Sequence, residues 1–215
     1  MGVSDSLSDL LGGTRGALDA TVPPLAFAAG WLVSGHAIGW GAATALLAAA
    51  VVAAIRVSRG EKVAAVVGSL TAVAAGALVA LYTGHAEDFF LIQLVSNAAS
   101  ALAWAVSILI RWPLLGVVVG VLLGQKTRWR RDPDLVRAYG RASWVWVLGQ
   151  YTVRTAVFGL LWWSGNLVAL TAARVVLSWP LVAVVLAASA VVLRKSLPAD
   201  HPGLRQPRVP EPANS

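Results

Sequence analysis

63-VAAVVGSLTAVAAGALVALY-82 is a run of twenty residues without a charged side chain. At about 1.5 Å per residue, a helix of that length spans about 30 Å, the thickness of a bilayer's hydrocarbon core. Its Ala, Val and Leu cover every side of the helix, a pattern that suits lipid better than a one-sided soluble core. Arg56, Arg59 and Lys62 flank it on one side, and Glu87 and Asp88 follow it on the other.

Working outward, further apolar runs occupy 40–55 and 23–35 upstream and 89–110, 143–163 and 167–193 downstream. A run at 112–124 has thirteen residues and would reach only about 20 Å as a helix. The expected fold is an all-α polytopic transmembrane bundle of about six crossings plus one short, Gly-rich re-entrant or half-depth helix. Composition agrees: of 215 residues, 58% are hydrophobic and 13% charged, against about 45–50% and 25% in soluble domains. Mean hydropathy is +0.72.

The basic residues set the topology. If 112–124 returns to the side it entered from, all 17 Lys and Arg except Arg154 and Arg174 fall on one side, which is then the cytoplasm. The expected organisation is a cytoplasmic N-terminal segment 1–21, a transmembrane domain 22–195 with a basic cytoplasmic loop 125–142, and a Pro-rich, disordered cytoplasmic tail 196–215. Residues 1–21 carry Asp5, Asp9 and Asp19 against Arg15, unlike the basic start of a cleaved signal peptide, so the first apolar run is expected to be retained. The protein is expected in the inner (plasma) membrane with both termini inside.

Several classes of function lose their support. Without cysteine there is no thiolate metal site, Fe–S cluster or Cys nucleophile, and His36, His85 and His201 are scattered. No cofactor or metal is expected. The net charge of +7 is accounted for by topology, so nucleic acid is not an expected partner.

Three groups of residues carry chemistry. The first lies within the spans. Gln93, Asn97, Ser100, Trp104, Ser107 and Arg111 recur at spacings of three and four, on one helix face. Arg154, with Gln150 one turn away, and Arg174, with Thr171, lie inside other spans, where an arginine costs about 2.5–3.5 kcal/mol on insertion scales. The acids nearest that depth are Glu87 and Asp88. Asp88, Gln93, Asn97, Arg154 and Arg174 therefore form a candidate ligand site with one excess positive charge, suited to a carboxylate or phosphate. A structural ion pair, with Arg174 reaching outward to the interface, is the competing account.

The second group is basic: Arg111, Arg128, Arg130, Arg131, Arg137 and Arg141, a juxtamembrane cluster suited to anionic lipid headgroups or a cytoplasmic partner. Within it, Asp132-Pro133-Asp134 reads as a helix start, with Asp132 as N-cap. In the third group, Gly116, Gly120 and Gly124 share one helix ridge, which either packs within the chain or forms a homo-oligomer seam. The stretches 97–126 and 166–195 each run from Asn through Trp-Pro-Leu to Lys, a pattern that either duplication or convergent composition explains.

Gly12-Gly13-Thr14-Arg15-Gly16, Ala86-Glu87-Asp88-Phe89-Phe90, Arg111-Trp112-Pro113-Leu114 with Gly116 and Gly120, and Trp129-Arg130-Arg131-Asp132-Pro133 through Arg137-Ala138-Tyr139 resemble the actinobacterial integral membrane proteins of domain-of-unknown-function 3159. The resemblance covers roughly residues 12–195 and extends distantly to intracellular septation protein A of proteobacteria. It implies a multi-spanning membrane location and fold but no chemistry. Its motif positions single out Asp88, Arg111, Pro113, Trp129, Arg130, Asp132 and Arg137.

Three readings of function follow. The leading one is a non-enzymatic envelope or division-associated membrane protein that binds lipid, anionic lipid in particular, or protein partners. The second is a small transporter or channel for an anionic solute, using Arg154 and Arg174. The third is a membrane-embedded isoprenoid- or lipid-modifying enzyme with Glu87 or Asp88 as acid; no convincing acid–base pair accompanies it, so the enzyme question leans towards no.

Overall fold

The computed structural model describes residues 13–208, with side chains from residue 19 onward. Among them there is no strand. The helices are α1 (Gly13–Val33), α2 (Ile38–Ser58), α3 (Val63–Thr83), α4 (Leu91–Leu109), α5 (Leu114–Leu122), α6 (Pro133–Val145), α7 (Val153–Trp163), α8 (Leu167–Val176) and α9 (Trp179–Ser196). Tight 3-10 turns at Ala86–Phe90 and Arg128–Arg131 precede α4 and α6, and a π-helical segment, Trp146–Thr152, joins α6 to α7.

Ile38–Ser58, Val63–Thr83, Ala86–Leu109 and Trp179–Ser196 are long and apolar enough to cross a membrane. Large apolar side chains stand out along them: Leu78 is 66%, Leu102 67% and Val184 65% exposed. In water that arrangement is costly, and in lipid it costs nothing. Over its described residues the chain is all-helical, with four helices long and apolar enough to place it in a membrane.

The expected runs are redrawn in four places. The run 23–35 belongs to α1, which begins ten residues earlier and carries Pro23 and Pro24 within it. The run 143–163 is the C-terminal part of a helical rod from Pro133 through the π segment to Trp163, so much of the basic segment 125–142 is helix, not loop. The run 167–193 is two helices broken at Leu177 and Ser178. Pro180 has no N–H to give the Val176 carbonyl, so one helix ends there and the next starts with proline in its first turn, where no donor is needed. The run 112–124 contains only the nine-residue α5, about 13 Å long and too short to cross.

The chain divides into two compact units, the first of residues up to 96 with 155–179, the second of 97–154 with residues from 180. In the first, Ala42 and Ala45 of α2 and Ala77 and Ala80 of α3 are buried, and such small residues let helix backbones approach. Thr44 Oγ1 donates to the Ala26 carbonyl at 2.7 Å, tying α2 to α1. Phe27 stacks on Phe89 with centroids 4.3 Å apart, and Phe90, Phe158, Leu167 and Leu170 complete the core.

The second unit is built around aromatic rings. Trp129 meets Tyr139 edge-on at 5.5 Å, and Trp104 stacks on Trp146 at 5.4 Å. Leu115, Leu135, Ala138, Ala142, Val185 and Leu193 pack into the same core. The tail expected to be disordered from residue 196 is held in place over 197–208: Gln125 Nε2 donates to the Leu204 carbonyl at 2.8 Å, and His201 is buried against Asp132. Compositional bias towards Pro and charge did not reveal these contacts, because each depends on one partner far away in sequence. The rest of the tail and residues 1–12 of the expected N-terminal segment 1–21 lie outside the described residues.

Candidate anion-binding cleft

The first turn of α6 follows from three residues. Asp132 Oδ1 accepts from the Asp134 N–H at 3.0 Å and the Leu135 N–H at 3.3 Å, and Pro133 occupies the position where no donor is required. From there α6 shows two faces. Leu135, Ala138, Tyr139 and Ala142 are buried, whereas Arg137, Arg141 and Trp144 stand out on the opposite side.

The outward face forms one wall of a cleft of about 680 Å³. Pro133, Val136, Arg137, Gly140, Arg141 and Trp144 contribute from α6 and its junction with the π segment; Ile108, Arg111, Pro113 and Arg130 contribute the rest. Arg111 sits in the turn between α4 and α5 at φ 55°, a conformation uncommon for a side-chain-bearing residue. The turn is held by the Trp112 N–H on the Ser107 carbonyl at 2.8 Å and the Leu114 N–H on Ser107 Oγ at 3.2 Å. Arg130 stacks its guanidinium 3.7 Å from the centroid of the Trp112 ring, which orients its fork.

Four guanidinium groups thus share one cleft with apolar and aromatic walls. One carboxylate among the described residues answers them directly: Asp134 Oδ1 accepts from Arg137 Nη2 at 2.9 Å. Asp132 is committed elsewhere. Its Oδ2 lies 2.9 Å from His201 Nε2 and accepts from the Arg208 N–H at 2.7 Å. Burial by itself would raise the Asp132 carboxyl, but His201 and the N–H groups of Arg208, Leu135 and Asp134 outweigh it and hold its pKa below the usual value. The cleft is therefore electropositive, with planar donors set to grip phosphate or carboxylate.

Of the six basic residues singled out in the sequence, Arg111, Arg130, Arg137 and Arg141 line this cleft; Arg128 and Arg131 are exposed and do not. The glycine ridge is occupied from within the chain. A Cβ on Gly116 would lie 2.8 Å from the Trp129 ring and one on Gly120 2.6 Å from Trp129 Nε1, so both glycines seat that indole. Gly124, at φ +66°, ends the short helix. An oligomer seam on this ridge would first have to displace Trp129.

The intramembrane set is distributed between the units. In the first, Asp88 is buried and Trp162 Nε1 donates to its Oδ1 at 2.7 Å. Gln93 lies five residues on, in the first turn of α4. Arg174 Nη2 donates to the Ala20 carbonyl at 3.0 Å, and among the described residues no ion pair joins it to Asp88. Asn97 and Arg154 belong to the second unit. No group of three or more metal-ligating side chains is found among the described residues.

Sequence reasoning gave no role to Trp129, which only the family resemblance singled out, and missed Trp162 and His201. The first had a readable signal: an aromatic residue close behind three glycines spaced by four is a natural occupant of their groove. The other two meet their partners 74 and 69 residues away, beyond any local pattern.

Compared with known proteins, residues 11–200 match the family model described as protein of unknown function (DUF3159). No curated protein and no solved structure matches the chain.

Proposed function

We propose, from the premise that this chain belongs to the DUF3159 family, that it is a non-enzymatic membrane protein that holds the phosphate of an anionic lipid headgroup in the cleft of Arg111, Arg130, Arg137 and Arg141. The family description names no activity, so the reading rests on the site. One observation carries it: four arginines line a cleft whose remaining walls are Ile108, Pro113, Pro133, Val136, Gly140 and Trp144, and a single carboxylate, Asp134, pairs with one of the four. Arginine grips phosphate with two parallel N–H donors, and each basic residue near an anionic leaflet contributes about 1 kcal/mol of attraction. The apolar walls suit the glycerol and first methylenes of the same lipid.

The full assignment is a plasma-membrane protein of about six crossings with α5 at half depth and the cleft and both termini in the cytoplasm. Flanking charge supports this orientation. The motif likeness to actinobacterial membrane proteins and, distantly, to intracellular septation protein A supports an envelope or division setting for the bound lipid.

Native mass spectrometry of protein released from nanodiscs of equal phosphatidylglycerol and phosphatidylcholine tests it. Wild type is expected to retain phosphatidylglycerol selectively, and Arg130→Gln/Arg141→Gln to lose that preference. Equal retention of the two lipids by wild type, or an unchanged preference in the double variant, overturns the reading. Inorganic phosphate that displaces the lipid at millimolar concentration would transfer the site to a soluble anion and also overturn it.

A further inference from the structure

The helical rod that begins at Pro133 carries a second polar feature, on its buried side. Tyr139, Ser143, Trp146, Gln150 and Arg154 succeed one another at spacings of four, three, four and four. The π segment, wider per turn than an α-helix, keeps Gln150 turned inward between them. Ser143 is fully buried and Gln150 is 4% exposed. Yet Tyr139 Oη, Ser143 Oγ, Trp146 Nε1, Gln150 Oε1 and Arg154 Nε have no protein partner among the described residues. Buried polar groups are rarely orphaned, and so many in one file require a polar occupant.

Two neighbouring helices add to it. Trp104 of α4 lies against Trp146 and Tyr151, whereas Ile108 and Arg111 share the cleft with Trp144 and Arg141. As the chain advances along α4, its contacts retreat along the rod, so the two run antiparallel. Asn97, seven residues or about 10 Å before Trp104, therefore lies towards the Arg154 end of the rod, and its Nδ2 is buried without a partner among the described residues. On α9, Val185 packs onto Gly149 and Leu193 enters the core with Tyr139 and Ala142. Ser189 lies one turn from each on that face, 4% exposed, with its Oγ likewise unpartnered.

The unpartnered atoms have one chemical bias. Asn97, Trp146 and Arg154 offer N–H donors; the three hydroxyls can also donate; Gln150 Oε1 alone is purely an acceptor. Arg154 supplies a permanent positive charge, and among the described residues no acid pairs with it. Such an interior repels cations and favours anions.

We propose that the second unit binds a small inorganic anion of halide size beside Arg154, between Gln150 and Asn97, at the end of a hydrated file that starts at Tyr139. The site is separate from the arginine cleft, which faces the other side of α6, and does not depend on the lipid reading.

The test is thermal unfolding of the purified full chain in a neutral detergent, with sodium bromide replacing sodium gluconate at constant ionic strength. Binding to the folded state raises the melting temperature in a saturable way. The expected result is a bromide-dependent rise in wild type, kept in Arg111→Gln/Arg130→Gln/Arg137→Gln/Arg141→Gln and abolished in Arg154→Gln. Gln150→Leu, which keeps the charge, is expected to shift the bromide midpoint upward by about tenfold, the loss of one charge-assisted contact, and serves alone if Arg154→Gln does not fold. No bromide dependence in wild type, persistence in Arg154→Gln, an unshifted midpoint in Gln150→Leu, or loss in the cleft variant each overturns the proposal.

Discussion

Arg174 Nη2 donates to the carbonyl oxygen of Ala20 at 3.0 Å, one helical turn before Pro24. In an uninterrupted helix that carbonyl would accept from the N–H of residue 24, which proline lacks. The guanidinium replaces the missing donor, so an arginine that looked in the sequence like half of an ion pair repairs a proline-bearing helix. A double-mutant cycle measures this. Arg174→Met is expected to destabilise wild type, and to do so by about 1–3 kcal/mol less in a Pro24→Ala background. Additive effects on the thermal unfolding midpoint would separate the two residues.

Asp132 makes stability depend on acid pH. Its folded pKa lies below the unfolded value of about 3.9, so the folded state binds its proton less readily. The contribution is complete above pH 5 and is lost as pH falls through the folded pKa. Asp132→Asn, which keeps the N-cap, is expected to be less stable at neutral pH by about 1–3 kcal/mol through the weakened His201 and Arg208 contacts. The gap between variant and wild type narrows below about pH 4. Melting curves in detergent from pH 3 to 7 check it; parallel curves down to pH 3 would contradict the assignment.

Gly120 and Gly140 are expected to respond oppositely to alanine. A Cβ on Gly120 would meet Trp129 Nε1 at 2.6 Å and the Lys126 carbonyl at 2.9 Å, and a backbone group cannot swing aside. The cost is about 1–3 kcal/mol. Gly140, inside α6, has nothing within 4 Å, so Gly140→Ala gains about 0.5–1 kcal/mol of helix propensity. Near-ultraviolet circular dichroism would show the Trp129 signal altered in the first variant alone.

Arg130 over Trp112 distinguishes planar from point charge in the cleft. Arg130→Lys keeps the charge but loses the stacked fork, and is expected to weaken phosphatidylglycerol retention by about threefold to tenfold, with Trp112→Leu doing the same. If lysine matches arginine, the cleft acts by charge alone.

Charge and apolar run length were sufficient to read a helical membrane protein, the short α5 and the Asp132 cap, because each depends on residues within a turn or two of one another. The juxtaposed Arg137 and Arg141 were legible for the same reason. Within the cleft, the turn that places Arg111 and the indole that orients Arg130 were not. The break at 177–178 had its signal in Pro180, although the apolar run continues through it. Periodicity placed Gln150 one turn from Arg154 but gave no sign of the π segment that keeps Gln150 inward.

Sequence by itself determined which stretches are long and apolar enough to cross a membrane, since transfer into hydrocarbon is a sum over neighbouring side chains. Tertiary structure decided which distant residues meet: Asp88 and Trp162, Asp132 and His201, Arg174 and Ala20, Gly116 and Gly120 with Trp129. Hydrogen bonds and ring contacts act over about 3–5 Å between residues tens of positions apart, and no local pattern encodes which of several polar groups will arrive.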